Sequence, residues 1–216
     1  GGVLNTRELL EIAGVLQSAR AVRSYGMSAE KETCIDHLFK MLQTNRFLED
    51  KITGSILSED EIADSASPEL ADIRRHMRAA QAKSRQILQK IISSPTYGKI
   101  LQETIITQRN GRFVVPVKAE HRGDVPGLVH DTSSTGATVF VEPQQVVEIN
   151  NQIKVLEGRE ENEIERILAE LSSRVSMYKG AIEQDYDALT TLDFIFARAK
   201  LSFEMNAAAP SLLESG

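Results

Sequence analysis

The sequence has no apolar run approaching the ~18 residues that a membrane helix needs, a single cysteine, and neither a signal peptide nor an initiator methionine. The first absence excludes a membrane span. One thiol, Cys34, cannot form an internal disulfide, so a reducing, cytoplasmic setting is expected. Within ETCIDHLFKML that small side chain is expected to be buried on an apolar helical face. Gly1-Gly2 in place of Met points to an excised segment whose parent extends on both sides.

Catalytic signatures are missing as well. There is no GxxxxGK[ST] phosphate loop, no GxSxG elbow, no HExxH and no Cys/His pair at metal spacing, so no catalytic, cofactor-binding or metal-ligating residue is assigned. His37, His76, His121 and His130 stand apart along the chain, as structural or surface histidines do. Positive charge is in the minority, with 25 Lys+Arg against 31 Asp+Glu and a net charge of -6. That excludes coating nucleic acid through bulk charge and leaves only local basic patches for such a role.

What is present is a chain of 216 residues, 41% hydrophobic and 26% charged, long enough for one or two domains. Most of it has helical periodicity. Asn5 or Thr6 caps a helix carrying Leu9, Leu10, Ile12, Ala13, Leu16 and Ala19, with Gly26 past its end. A second helix is expected near Glu32 to Thr44. Residues 47–67 have a short, broken pattern and are expected to form a connector with a helical turn or two. Ser67-Pro68-Glu69 is a strong helix start. Beyond it Leu70, Ile73, Met77, Ala80, Ser84, Ile87 and Ile91 alternate steps of three and four, a heptad seam. Pro143 opens a much longer helix, Gln144 to Tyr178, about 50 Å at ~1.5 Å per residue. The last helix, from about Ala181 to Asn206, bears Leu192, Phe194, Ile195, Phe196, Leu201 and Phe203 on several faces and is expected to lie in a core.

Charge supports pairing the two seam-bearing helices. Residues 69–99 hold seven basic against two acidic residues, and residues 144–171 seven acidic against three basic. Opposite signs beside two apolar seams predict an antiparallel hairpin, although each surface pair contributes only ~0.5 kcal/mol; solvated helix faces are the bland alternative. The expected organisation is mainly α: a helical core begins at 1–67, one long helix occupies 68–99, a small β-rich tip 100–143, a second long helix 144–178, and the core resumes at 179–216.

The tip is the one non-helical stretch. Phe113, Val115, Val117 and Ala119 alternate with Arg112, Val114, Pro116 and Lys118, and Thr138 to Glu142 is β-branched and aromatic. Asn110-Gly111, Arg122-Gly123-Asp124 and Pro126-Gly127 mark turns, and Asp131 to Gly136 reads as a polar loop. Pro116 lacks a donor, so its strand is expected to lie at an edge or bend. Phe140 is expected to be buried. Arg109, Arg112, Lys118, His121 and Arg122 form a local basic cluster. Residues two apart on a strand share a side, which suits phosphate contact; cations guarding an edge strand against aggregation fit equally well.

GRFVVPVKAEHRGDVPGLVHDTSSTGATVFVEPQQVVEINNQI, followed by EENEIERILAEL, resembles the core and lever region of the bacterial MutS paralogues that suppress recombination rather than repair mismatches. The match is long through residues 111–171 and collinear over the flanking helices. The resemblance implies a MutS core and lever-like helical bundle, with the helices at 68–99 and 144–178 as levers and the tip as a reduced clamp. It implies a parent that is a homodimeric ATPase using ATP and Mg, with a C-terminal small MutS-related nuclease domain. Such a parent acts on branched DNA or on collided ribosomes, with no membrane partner. Neither engine, nor the mismatch-reading domain of the repair branch, is in this sequence. The resemblance makes Arg109, Arg112, Lys118, His121 and Arg122 candidates for nucleic-acid contact. The competing reading is a helical interaction or dimerisation module that touches no nucleic acid.

Overall fold

The computed structural model describes residues 2–28 and 32–208. In chain order its elements are α1 (Thr6–Met27), α2 (Asp36–Met41), α3 (Arg46–Ser55), β1 (Ile56–Ser58), β2 (Glu61–Ile62), α4 (Pro68–Ile92), α5 (Pro95–Gly98), β3 (Thr107–Arg109), β4 (Arg112–Lys118), β5 (Gly127–Thr132), β6 (Thr138–Pro143), α6 (Gln144–Met177) and α7 (Lys179–Glu204). The chain is mainly α and divides into two compact units, Gly1–Ala63 with Ile167–Gly216, and Asp64–Arg166. Parts of the expected scheme that fall on Gly1, 29–31 and 209–216 lie outside the described residues.

In the first unit, α1 starts at a capping box: the Asn5 side chain accepts the Glu8 N–H at 2.9 Å while Glu8 accepts the Asn5 N–H at 2.9 Å. Leu9, Ala13, Leu16 and Ala19, at steps of four and three, are buried. Four expectations fail here. The second helix is only Asp36–Met41, because Asp36 accepts the Thr33 N–H and hydroxyl and so starts the helix after Cys34. Cys34 is therefore exposed. The connector contains a ten-residue helix, α3, capped by Asn45, which accepts the Leu48 N–H at 3.0 Å. Its Leu48 and Ile52 are buried, and Glu49 takes two bonds of 2.9 Å from Arg20. Finally, α7 is not enclosed. Ala188 and Leu192 join Ala19, Phe39 and Leu42 in a core cluster, but Phe194, Phe196, Leu201 and Phe203 are exposed. Only one face of α7 meets α1 and α2, so apolar residues on its other faces stay in water.

Asp185 on α7 is 1% exposed. One carboxylate oxygen accepts the Gln43 N–H at 2.7 Å, and Oδ2 has no partner among the described residues. Burial pushes this carboxyl above the ordinary aspartate range, since the charged form loses its hydration. With the folded pKa above the unfolded ~3.9, ionisation destabilises the fold. The deficit is absent below the unfolded value and complete above the raised one. Asp185→Asn keeps an acceptor for Gln43 and removes the charge. It is expected to be more stable than wild type at pH 7, with the gain fading toward pH ~4. Urea unfolding at both pH values checks this; a loss at pH 7 that shrinks toward pH ~4 would show that attraction to Arg23 outweighs desolvation.

In the second unit, Ser67 caps α4 by accepting the Leu70 N–H at 3.0 Å and donates its hydroxyl to Glu163 of α6 at 2.6 Å. The Glu163 carboxyl is held down to about 2, first by Arg166 and then by Ser67. Further along, Arg159 bonds Glu69, Arg74 bonds Glu160, and Ser84 bonds Asn150. Rising numbers on α4 meet falling numbers on α6, so the two helices run antiparallel. Their ion pairs form in both senses, and Asp64 takes Arg74 and Arg78, so α6 does not consume the basic surplus of α4.

The four-stranded sheet of this unit is antiparallel with order β3-β4-β6-β5. Asn110 (φ 52°) and Gly111 (φ 70°) form the two-residue turn between β3 and β4, the left-handed pair a tight hairpin requires. Phe113, Val115, Val117 and Val141 pack with Leu88, Ile91, Ile92, Val146, Ile149 and Ile153, so the sheet lies against the ends of the helices nearest their connection. Two expectations are corrected. Pro116 sits on an inner strand, paired with Phe140 of β6. Its carbonyl accepts the Gln102 N–H at 2.9 Å, and Lys118 donates to the Ile100 carbonyl at 3.0 Å, so these alternate residues aim their backbone groups away from β6. The missing Pro116 donor therefore costs the β4–β6 ladder nothing. The supposed loop at 131–136 also begins late, because Asp131 and Thr132 still pair with Phe140 and Val139.

Candidate nucleic-acid interface

The alternation that placed five cations near one another holds along each strand, but it does not gather them. Arg109 and Arg112 lie opposite each other beside the hairpin turn. Lys118 is six residues further on, ~20 Å away at ~3.3 Å per residue, opposite Thr138. His121 and Arg122 follow on a single 3-10 stretch, Ala119–Asp124. The cluster is thus two groups at opposite ends of β4, because a shared side of a strand is not a shared place.

Each of the five also has a partner within the chain. The Arg109 guanidinium lies 3.9 Å from the Phe140 ring centre and pairs with Asp131 at 3.1 Å. Phe140 is consequently half-buried beneath a cation rather than enclosed. Lys118 donates to the Lys99 carbonyl at 3.0 Å, His121 to Asp124 at 2.8 Å, and Arg122 to the carbonyls of Val125 and Gly127 at 3.3 and 3.1 Å. Lys118 and His121 hold exposed bonds, and Arg122 part-buried ones to carbonyls. Arg112 is different.

Arg112 Nη1 donates to both oxygens of Glu142, at 2.9 and 3.2 Å, and Nη2 to Asn151 at 2.7 Å. Glu142 is 0% exposed and also receives His130 Nε2 at 2.5 Å and Asn150 Nδ2 at 2.7 Å. Asn150 donates to the Phe113 carbonyl at 3.0 Å as well. One carboxylate thus ties together β4, β5, β6 and α6. A phosphate would have to displace a buried charge partner to reach Arg112, and buried charges tolerate that poorly. Sequence reasoning passed over Glu142, His130, Asn150 and Asn151. The available signal was an acid inside a β-branched run, which strands seldom bury without a cation opposite.

No protein-family model matches the chain. Curated relatives do. The chain is 47% identical over 219 residues to "Endonuclease MutS2" of Ruminiclostridium cellulolyticum, covering 100% of this chain and 28% of the relative. The values are the same for "Endonuclease MutS2" of Agathobacter rectalis. For that of Acetivibrio thermocellus the identity is 45% over 216 residues, covering 98% of this chain and 27% of the relative. The chain spans about 28% of the length of the curated relatives it matches.

Proposed function

From the similarity of the whole chain to one segment of the MutS2 endonucleases, we infer that it is a nucleic-acid-contacting, non-catalytic segment of such an enzyme. The observation that carries this is 47% identity sustained over 219 residues. In this reading the ATPase and nuclease chemistry, with ATP and Mg, resides in the remaining length of the parent. That parent works as a homodimer on branched DNA or on ribosomes, in recombination control or ribosome rescue. The segment transmits the state of the ATPase along its long helices to the surface that touches phosphate. Of the tip cations Arg112 is the least suited to that contact, because a phosphate would have to displace it from the buried Glu142.

The test is filter binding of the 216-residue chain to a four-way DNA junction and to ribosomes at 50 and 200 mM salt. Binding that weakens steeply with salt is expected, with a log-log slope of about 0.9 per phosphate contact on duplex arms. No binding to either at 50 mM would overturn the reading. The second reading, an interaction module, draws on one observation: Phe196 and Phe203, seven residues apart and so on one face of α7, are exposed, which suits a protein partner.

A further inference from the structure

Resting on that reading, we infer that the nucleic acid is single-stranded and lies along the exposed face of α4, entering the cleft between α4 and β3, rather than on the sheet cations. From Ile73 to Ile92 the helix has six basic residues and no acidic one, within a chain whose net charge is -6. Arg74 turns inward to Asp64 and Glu160. Lys83, Arg85 and Lys90 are exposed and make no ion pair among the described residues. Lys83 and Lys90, seven apart, line one flank of the exposed face, and Arg78 and Arg85, also seven apart, line the other, with Arg75 between them; the Arg75 and Arg78 guanidinium groups pair with Asp72 and Asp64. From Arg75 to Lys90 the row runs ~22 Å. The sheet cations differ in that each already has a partner.

Beside the Arg85 flank of this face, within the same unit, lies a cleft of about 660 Å³ lined by Arg85, Gln86, Gln89, Thr107, Gln108 and Phe113, among others. Its far wall is β3, an edge strand with β4 as its one sheet neighbour. The Arg85 guanidinium lies 5.3 Å from the Phe113 ring centre. A cation row above three glutamine amides and a threonine hydroxyl offers phosphate contacts on one side and paired donors and acceptors on the other. Base edges are open to such groups when bases are unpaired. A duplex would present phosphates to the row and leave the cleft unused.

The experiment measures fluorescence anisotropy of a labelled 20-nucleotide single strand and the matching duplex, across 50–200 mM salt. It compares the wild-type chain, the triple variant Lys83→Gln/Arg85→Gln/Lys90→Gln, the pair Gln86→Ala/Gln89→Ala, and Lys118→Gln. On the single strand the triple variant is expected to lose a slope of about 2, at ~0.7 per contact, and at least tenfold in affinity at 50 mM salt. The glutamine pair is expected to weaken the single strand severalfold and the duplex hardly at all, and Lys118→Gln to leave both unchanged. Lys83→Glu/Lys90→Glu, at two exposed positions that make no ion pair among the described residues, repeats the test if the triple variant melts early. Wild-type binding that survives all α4 changes overturns this inference alone, as does equal loss for single strand and duplex in the glutamine pair. Absence of wild-type binding overturns it together with the proposed function.

Discussion

Glu142→Ala is expected to destabilise the chain by about 3–5 kcal/mol, the cost of leaving buried charge partners uncompensated. The carboxylate is wholly enclosed and receives Arg112, His130 and Asn150 at once. Removing it leaves a guanidinium that is 22% exposed, an imidazole and a buried amide facing an empty space. Folded domains are stable by only ~5–15 kcal/mol, so the second unit would unfold at a fraction of the usual denaturant. Glu142→Gln keeps one acceptor and adds a donor next to other donors, so it should lose about half as much. The combination Glu142→Leu with Arg112→Met should recover part of the loss by replacing the pair with apolar contact. Urea unfolding followed by circular dichroism measures all three. An alanine variant within ~0.5 kcal/mol of wild type would mean that water reaches the carboxylate and that Arg112 is free for phosphate after all.

Gly127→Ala is expected to cost about 3 kcal/mol or more, at the upper end of overpacking penalties. A Cβ at this position would lie 2.1 Å from the Glu142 carbonyl oxygen and 2.9 Å from the Pro143 Cα. Both obstacles are backbone, so neither can swing aside. Gly127 pairs with Pro143 at the first rung of β5 and β6, and relief of the clash requires these strands to part there. Strand separation would also remove His130 from Glu142, which makes the two predictions share a cause. Hydrogen exchange should show faster opening of amides 128–132 while α1 in the other unit stays protected. Unchanged exchange in β5 would show that the strands accommodate the methyl group by a shift smaller than these distances imply.

Much of the helical layout was legible because its signals are short-range. Asn5 with Glu8, Ser67 before Pro68, and Gln144 after Pro143 act within one turn, and the seam of α4 repeats every three or four residues. Even there, burial favours Leu88 over the expected Ile87, a rotation of one residue that periodicity alone does not resolve. The six-residue α2 and the exposed Cys34 were misread because Asp36 competes with the helix for the backbone before it. The ten-residue α3 was missed although its cap, Asn45, and its Leu48 and Ile52 pair were in plain view.

The candidate site was less legible, for a physical reason. Charges at 109, 112, 118, 121 and 122 were visible, but their partners lie across strand registers and up to 39 residues away, as for Arg112 and Asn151. By itself the sequence determined where helices start, which faces are apolar, that one stretch is β-rich, and that positive charge is confined to a few segments. Only the tertiary structure decided which cations are occupied and which are free. It also decided that Glu142 is buried, that Pro116 can sit on an inner strand, and that the aromatic half of α7 faces water. Local patterning is set by bonds within a turn or across one pleat; desolvation and charge pairing depend on which distant elements the chain brings together.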